Sequence, residues 1–110
     1  MIYHMLPAAL WQQQAADQPY CASTVASEGF MHCTGEPELL LWVANRFYRA
    51  IPGDFVILGL DPALVQAEVR WEKADGRYFP HIYGPLNLDA VVQVYPFPRD
   101  AEGKFLPFLS

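Results

Sequence analysis

The stretch Arg77-Tyr78-Phe79-Pro80-His81-Ile82-Tyr83-Gly84-Pro85-Leu86 decides how the chain is read. Two prolines set its backbone. Pro80 pushes Phe79 into an extended conformation, and Pro85 does the same to Gly84. His81-Ile82-Tyr83 is therefore expected to be a held, extended segment. Alternation along it puts His81 and Tyr83 on one side and Ile82 on the other. An imidazole and a phenol then stand side by side over one apolar anchor, and Gly84 lets another backbone or a ligand come close. Just upstream, Asp75-Gly76 is a strong turn signal. Before it, Glu68-Val69-Arg70-Trp71-Glu72 alternates, with Val69 and Trp71 expected inward and the charged residues outward. The two runs read as partners in a β-hairpin.

Working outward, Phe55 to Leu60 is a continuous apolar run, too short for a helix of normal length, and reads as a central strand. Ile2 to Met5 reads as the first strand and Val91 to Phe97 as the last. Pro62 to Val65 is expected to make one helical turn. One helix is expected over Ala8 to Ala16, ended by Asp17-Gln18-Pro19. A second is expected from about Pro37 to Arg49, with Thr34 as N-cap and Leu40, Val43, Ala44, Phe47 and Tyr48 as its buried stripe. Tyr20 to Ser27 is small and polar, which suggests an irregular connection or a short edge strand. Phe30 to Cys33 has strand character, with Phe30 and His32 sharing a face. The tail beyond Pro98 is expected to lie over the core. Without regular β-α alternation, the fold class is α+β: a mostly antiparallel split sheet with two main helices, in one domain covering 1–110.

Composition narrows the function. The chain is 53% hydrophobic and 17% charged, enough to form a core and too apolar for disorder. Its net charge of -5, with lysine only at positions 73 and 104, argues against a binder of nucleic-acid backbones. A few arginines still suffice to hold a small phosphorylated ligand. No apolar run is long enough to span a bilayer, and the first residues lack the basic start and cleavage site of a signal peptide. A cytoplasmic location is expected, with Cys21 and Cys33 as free thiols.

Three histidines, His4, His32 and His81, each sit in a short aromatic stretch that reads as extended. Three uses compete. One is a three-histidine metal site in a hydrolase, with an open position for water; no pair has the close spacing that places two ligands together, and no residue is assigned to a metal. Another is a pocket that holds ribose hydroxyls and phosphates through imidazole, Tyr83 and arginine. The third is a non-catalytic interaction module in which the motifs serve packing and partner contact. Glu28 and Glu72 are the candidate carboxylates for acid–base work or for stabilising a cationic transition state. For Glu72 the sequence favours a surface ion pair with Arg70 or Lys73. Arg46 and Arg49 could clamp phosphate; Arg46 is the first choice, because its helix follows the His32 strand, and Arg77 the second. The candidate catalytic set is His32, His81 and Glu72. The candidate ligand contacts are His4, Phe30, Arg46, Arg77 and Tyr83.

Five segments carry a family resemblance: Ile2-Tyr3-His4, Ser27 to Thr34, Ala44-Asn45-Arg46-Phe47-Tyr48-Arg49, Val69-Arg70-Trp71-Glu72, and Phe79-Pro80-His81-Ile82-Tyr83-Gly84-Pro85-Leu86. In that order they resemble the pattern of a small bacterial family, domain-of-unknown-function family 952. The resemblance covers nearly the whole chain. It implies a fold similar to the catalytic fold of ADP-ribosyltransferases, a split pair of small sheets with helices at the side, and it implies NAD as the cofactor or substrate to consider. In those enzymes a first-strand histidine or arginine holds a ribose of NAD, a role His4 matches by position. A residue of the next motif strand helps to position the nicotinamide, a role matched by His32 or by Phe30. A late-strand glutamate stabilises the oxocarbenium ion. Here the pattern departs, since Val91 to Phe97 holds no glutamate, while His81 and Glu72 lie nearby in order. What carries over is the binding of a nucleotide or a ribose phosphate.

Overall fold

A computed structural model describes residues 1–109. Strand β1 (Ile2–Pro7) leads into α1 (Ala8–Gln12), followed by α2 (Ser23–Glu28), β2 (Met31–His32) and α3 (Pro37–Phe47). Then come β3 (Phe55–Leu60), a 3-10 turn (Pro62–Leu64), β4 (Glu68–Ala74), β5 (Arg77–Tyr83), a second 3-10 turn (Leu88–Ala90) and β6 (Val91–Phe97). The strands form two antiparallel three-stranded sheets, β1-β3-β6 and β2-β5-β4. The architecture is mixed α and β, with antiparallel sheets and few helices.

The first sheet is built around β3, which is apolar on both faces because both faces are covered. Leu58 and Leu60 join Ile2 and Leu6 of β1 in a core shared with Met31 and Ile82 of the second sheet. Phe55 and Ile57 point the other way, with Tyr3 and Met5, onto Leu40 and Ala44 of α3 and Phe105 of the tail. The sheets are stitched together where Tyr3 and Thr34 exchange backbone hydrogen bonds of 2.8 Å each. That bond pair removes Thr34 from the capping role expected of it. The N-cap of α3 is Glu36, and the helix stops at Phe47, short of Arg49. Phe47 leaves the expected buried stripe: it is 54% exposed and edge-on to Trp42.

Two further helical expectations are corrected. The first helix ends at Gln12 rather than Ala16. Beyond it the Gln14 side-chain amide donates to the carbonyls of Ala15, Gln18 and Pro19, local bonds that compete with a helical path. Of the small polar stretch from Tyr20 to Ser27, Tyr20 makes one antiparallel bridge with Leu86, but from Ser23 on it is the helix α2 and neither an irregular connection nor an edge strand. Its six residues are too few to show an apolar period, and it closes on Gly29, whose φ of 89° places it in the left-handed region.

The second sheet follows the hairpin reading. Asp75 and Gly76 both have positive φ, 52° and 77°, the signature of a type I′ turn. They fix the register Ala74↔Arg77 through Arg70↔His81 to Glu68↔Tyr83. Pro80 lies in the middle strand, where its missing N–H matters on the β2 side. Cys33 donates to the Pro80 carbonyl at 3.1 Å, but Pro80 cannot return the bond, so β2 ends at His32. Val69 packs on the core as expected. Trp71 does not: it is 55% exposed and lies against Gly35, where an added Cβ would come within 2.7 Å of the indole. This far out β4 meets only the segment around Gly35 and not the core, so alternation alone misplaces the ring. No helix of the described residues is long and apolar enough to cross a membrane.

Candidate functional site

Opposed residues of antiparallel strands share a face. The pairs His32↔His81 and Arg70↔His81 therefore set an arginine and two histidines in a row across the second sheet, with Glu72 and Tyr83 on the same side. The rings of His32 and His81 meet edge-on at 5.3 Å. Phe30 lies nearly parallel over His81, with ring centres 4.1 Å apart, and also touches His32 and Tyr83. Gly29 makes this possible, since its left-handed backbone turns the chain from α2 into β2.

Each imidazole is tied to its own carboxylate. His81 Nδ1 lies 2.8 Å from Glu72 Oε1, and His32 Nε2 lies 3.2 Å from Glu28 Oε2. An ionised carboxylate only accepts, so each of these nitrogens carries the proton. The neutral ring then has its lone pair on the other nitrogen: Nε2 in His81, Nδ1 in His32. The Tyr83 hydroxyl donates to the same Glu72 oxygen. The Tyr83 bond first, and the His81 bond second, hold the Glu72 carboxyl below the usual carboxylate range. Glu72 is thus neither paired with Arg70 nor with Lys73; Arg70 takes Glu68 at 2.8 Å.

His4 belongs to the same neighbourhood but differs in kind. Its Nδ1 donates to the His32 carbonyl at 2.6 Å, and its Nε2 accepts from the Tyr20 hydroxyl at 3.1 Å. Burial lowers its pKa to about 4 and pushes Tyr20 up to about 12, so the ring is neutral and both nitrogens are occupied. It holds the β2 backbone in place and has no atom left for a ligand. Among the described residues, no group of three or more His, Cys, Asp or Glu side chains could hold a metal ion. The three-histidine metal centre finds no support in this geometry.

The three histidines line one cleft of about 1010 Å³. Its walls come from β1, α2, α3 and the hairpin end near Asp75, and the lining is rich in aromatic rings, among them Tyr20, Phe30, Phe47 and Phe79. Glu28 and Asp75 are its acidic groups; no lysine or arginine lines it. The expected arginines are elsewhere. Arg46 sits over the Phe47 ring at 5.5 Å, outside the cleft, and Arg77 lines a separate small groove with Trp71 and Tyr78. Tyr83 stands behind the cleft lining, bonded to Glu72. The cation that does touch the cluster is Arg70, 4.3 Å over the Tyr83 ring. Arg70 was legible: a two-residue turn at Asp75-Gly76 sets it opposite His81 by counting. The Tyr20–His4 bond joins distant segments, and no local signal announces it.

A family model described as "Protein of unknown function (DUF952)" matches residues 5–94. The chain belongs to this family. No curated protein matches it. Among solved structures it is similar to protein CC0527 from Caulobacter crescentus. The crystal structure of that protein superposes with a TM-score of 0.80 at 25% identity, covering 96% of this chain and 92% of that one. The solution NMR structure gives 0.74 at 26% identity, covering 93% and 88%. The two proteins share a fold along nearly their full lengths.

Proposed function

For this member of the family we propose that the cleft binds NAD or a related ribose-phosphate compound and acts on its ribose, in a cytoplasmic protein of ADP-ribosyltransferase-like fold. The observation that carries the reading is the pair His32 and His81, edge-on to each other on adjacent strands, each with one N–H held by its own carboxylate. Two such imidazoles can serve as a general base and a general acid. The split pair of small sheets supports the fold assignment.

The cleft suits the nicotinamide end. Aromatic walls and acidic groups, with no lysine or arginine, favour a flat cationic ring over a bare phosphate. If water is the acceptor, the C1′–N bond breaks with its electron pair going to the ring nitrogen, and neutral nicotinamide leaves. The water oxygen bonds to C1′, and its proton passes to the free nitrogen of His81, whose charge Glu72 offsets. Phe30 covers one face of His81 and limits water there.

A thermal-shift titration tests this. A compound at a hundred times its Kd adds about 2.7 kcal/mol to the native state. NAD and nicotinamide riboside should raise the melting temperature of the parent, and the rise should be lost in His81→Asn and weakened in His32→Asn. No shift of the parent by millimolar NAD or riboside would end this reading.

A further inference from the structure

Resting on that reading, we propose that Arg70 is the anion-binding residue of the site, and that Glu68 occupies it until a phosphate arrives. A cleft without lysine or arginine can take the nicotinamide riboside part of a ligand, but the attached phosphates need a cation at its edge. The positions of the cations narrow the choice. Arg99 is spent on four backbone carbonyls, those of Arg49, Ile51, Gly53 and Gly103. Arg46, with Arg49 after it, belongs to the α3 end of the chain and rests on Phe47 of the cleft wall, and Arg77 lines a separate groove; neither is a strand neighbour of a site histidine, as Arg70 is. Lys73 alternates to the opposite face of β4 from Arg70 and Glu72.

Arg70 is outside the cleft lining but is joined to the histidine row beside it. It is the cross-strand partner of His81, so their Cβ atoms are about 5 Å apart. Its guanidinium rests on Tyr83, whose hydroxyl bonds to the carboxylate that holds His81. It is also half-exposed, with side-chain exposure of 52% against 59% for Glu68. An exposed pair of this kind contributes little to folding, so exchanging Glu68 for a phosphate costs little. A guanidinium meets phosphate through two parallel N–H bonds, a stronger arrangement than its single contact to Glu68. Tyr83 beneath it fixes the plane in which those donors lie.

The experiment measures the affinity of the full-length parent, Arg70→Gln and Glu68→Gln for NAD and for nicotinamide riboside, across a range of salt. Riboside carries no phosphate and is the internal control. Arg70→Gln should bind NAD about tenfold more weakly, with a flatter salt dependence, and bind riboside as the parent does. Glu68→Gln should bind NAD several-fold more tightly, since it removes the competing carboxylate, and leave riboside unchanged. A merely structural Arg70–Glu68 pair predicts losses in both variants and for both compounds. Equal NAD binding by all three proteins overturns the assignment of Arg70 while leaving the cleft reading in place. A parent that binds neither compound removes both.

Discussion

The two sheets each bury a histidine to the same depth and use it differently. His4 in the first sheet is 8% exposed and His81 in the second is 7% exposed. His4 gives both nitrogens to the protein, one to a backbone carbonyl and one to Tyr20. His81 gives one nitrogen to a carboxylate and keeps the other. Burial therefore does not separate a histidine with both nitrogens committed from one with a nitrogen left over; their hydrogen bonds do. The same contrast runs through the sheets. The first spends its alternation on two apolar faces, and the second turns one face of β5 into a row of groups able to exchange protons.

The largest effect that could break this contrast is in the first sheet. His4→Ala leaves the His32 carbonyl and the Tyr20 hydroxyl without partners and opens a cavity, and should cost about 4 kcal/mol of stability. Urea denaturation measures it. His81→Asn should cost much less; the reverse order would erase the distinction. Next comes acidity. His4 binds a proton only near pH 4 in the folded chain and near 6.5 when unfolded. Between those values the unfolded state holds more protons, so this stability is whole above pH 6.5 and is lost as pH falls toward 4. The loss is about 3 kcal/mol. Denaturation midpoints from pH 4 to 7 should show that slope in the parent, and His4→Asn should flatten it. The smallest effect sharpens the second sheet. Phe30→Ala removes the ring stacked on His81, a contact of about 1 kcal/mol. Its stability change should be near that value, while the His81 ring signals in NMR should broaden or shift as the imidazole is freed.

Much of this was legible where the signal is local. The Asp75-Gly76 turn announced the hairpin, and the short continuous apolar run at 55–60 announced the central strand. Alternation placed His81 with Tyr83, and Phe30 with His32. What failed depended on the layer above or below. Trp71 alternates with Val69 but lies outside the core, against Gly35, and Phe47 keeps helical spacing beyond the edge of the core. Thr34 has the chemistry of an N-cap, yet its backbone is claimed by Tyr3 from the far end of the sequence. Glu72 was assigned to the nearest cation along the strand, whereas its partners lie across the ladder. For the arginines, chain order puts Arg46 next after the His32 strand, while strand register puts Arg70 opposite His81.

That register has a consequence for how sequences of this kind can vary. The His81–Glu72 contact spans nine positions within one hairpin, with Tyr83 two further on. A single-residue insertion or deletion inside the paired strands between them would turn one partner to the other face. The connection between His4 and His32, 28 positions apart, passes through the loop at 13–22, where a change of length has a small entropic cost. A glutamate followed after eight residues by histidine-x-tyrosine, with an Asp-Gly turn between, is thus a spacing that copying errors cannot stretch, and it can be searched for in chains whose remaining sequence has drifted beyond comparison.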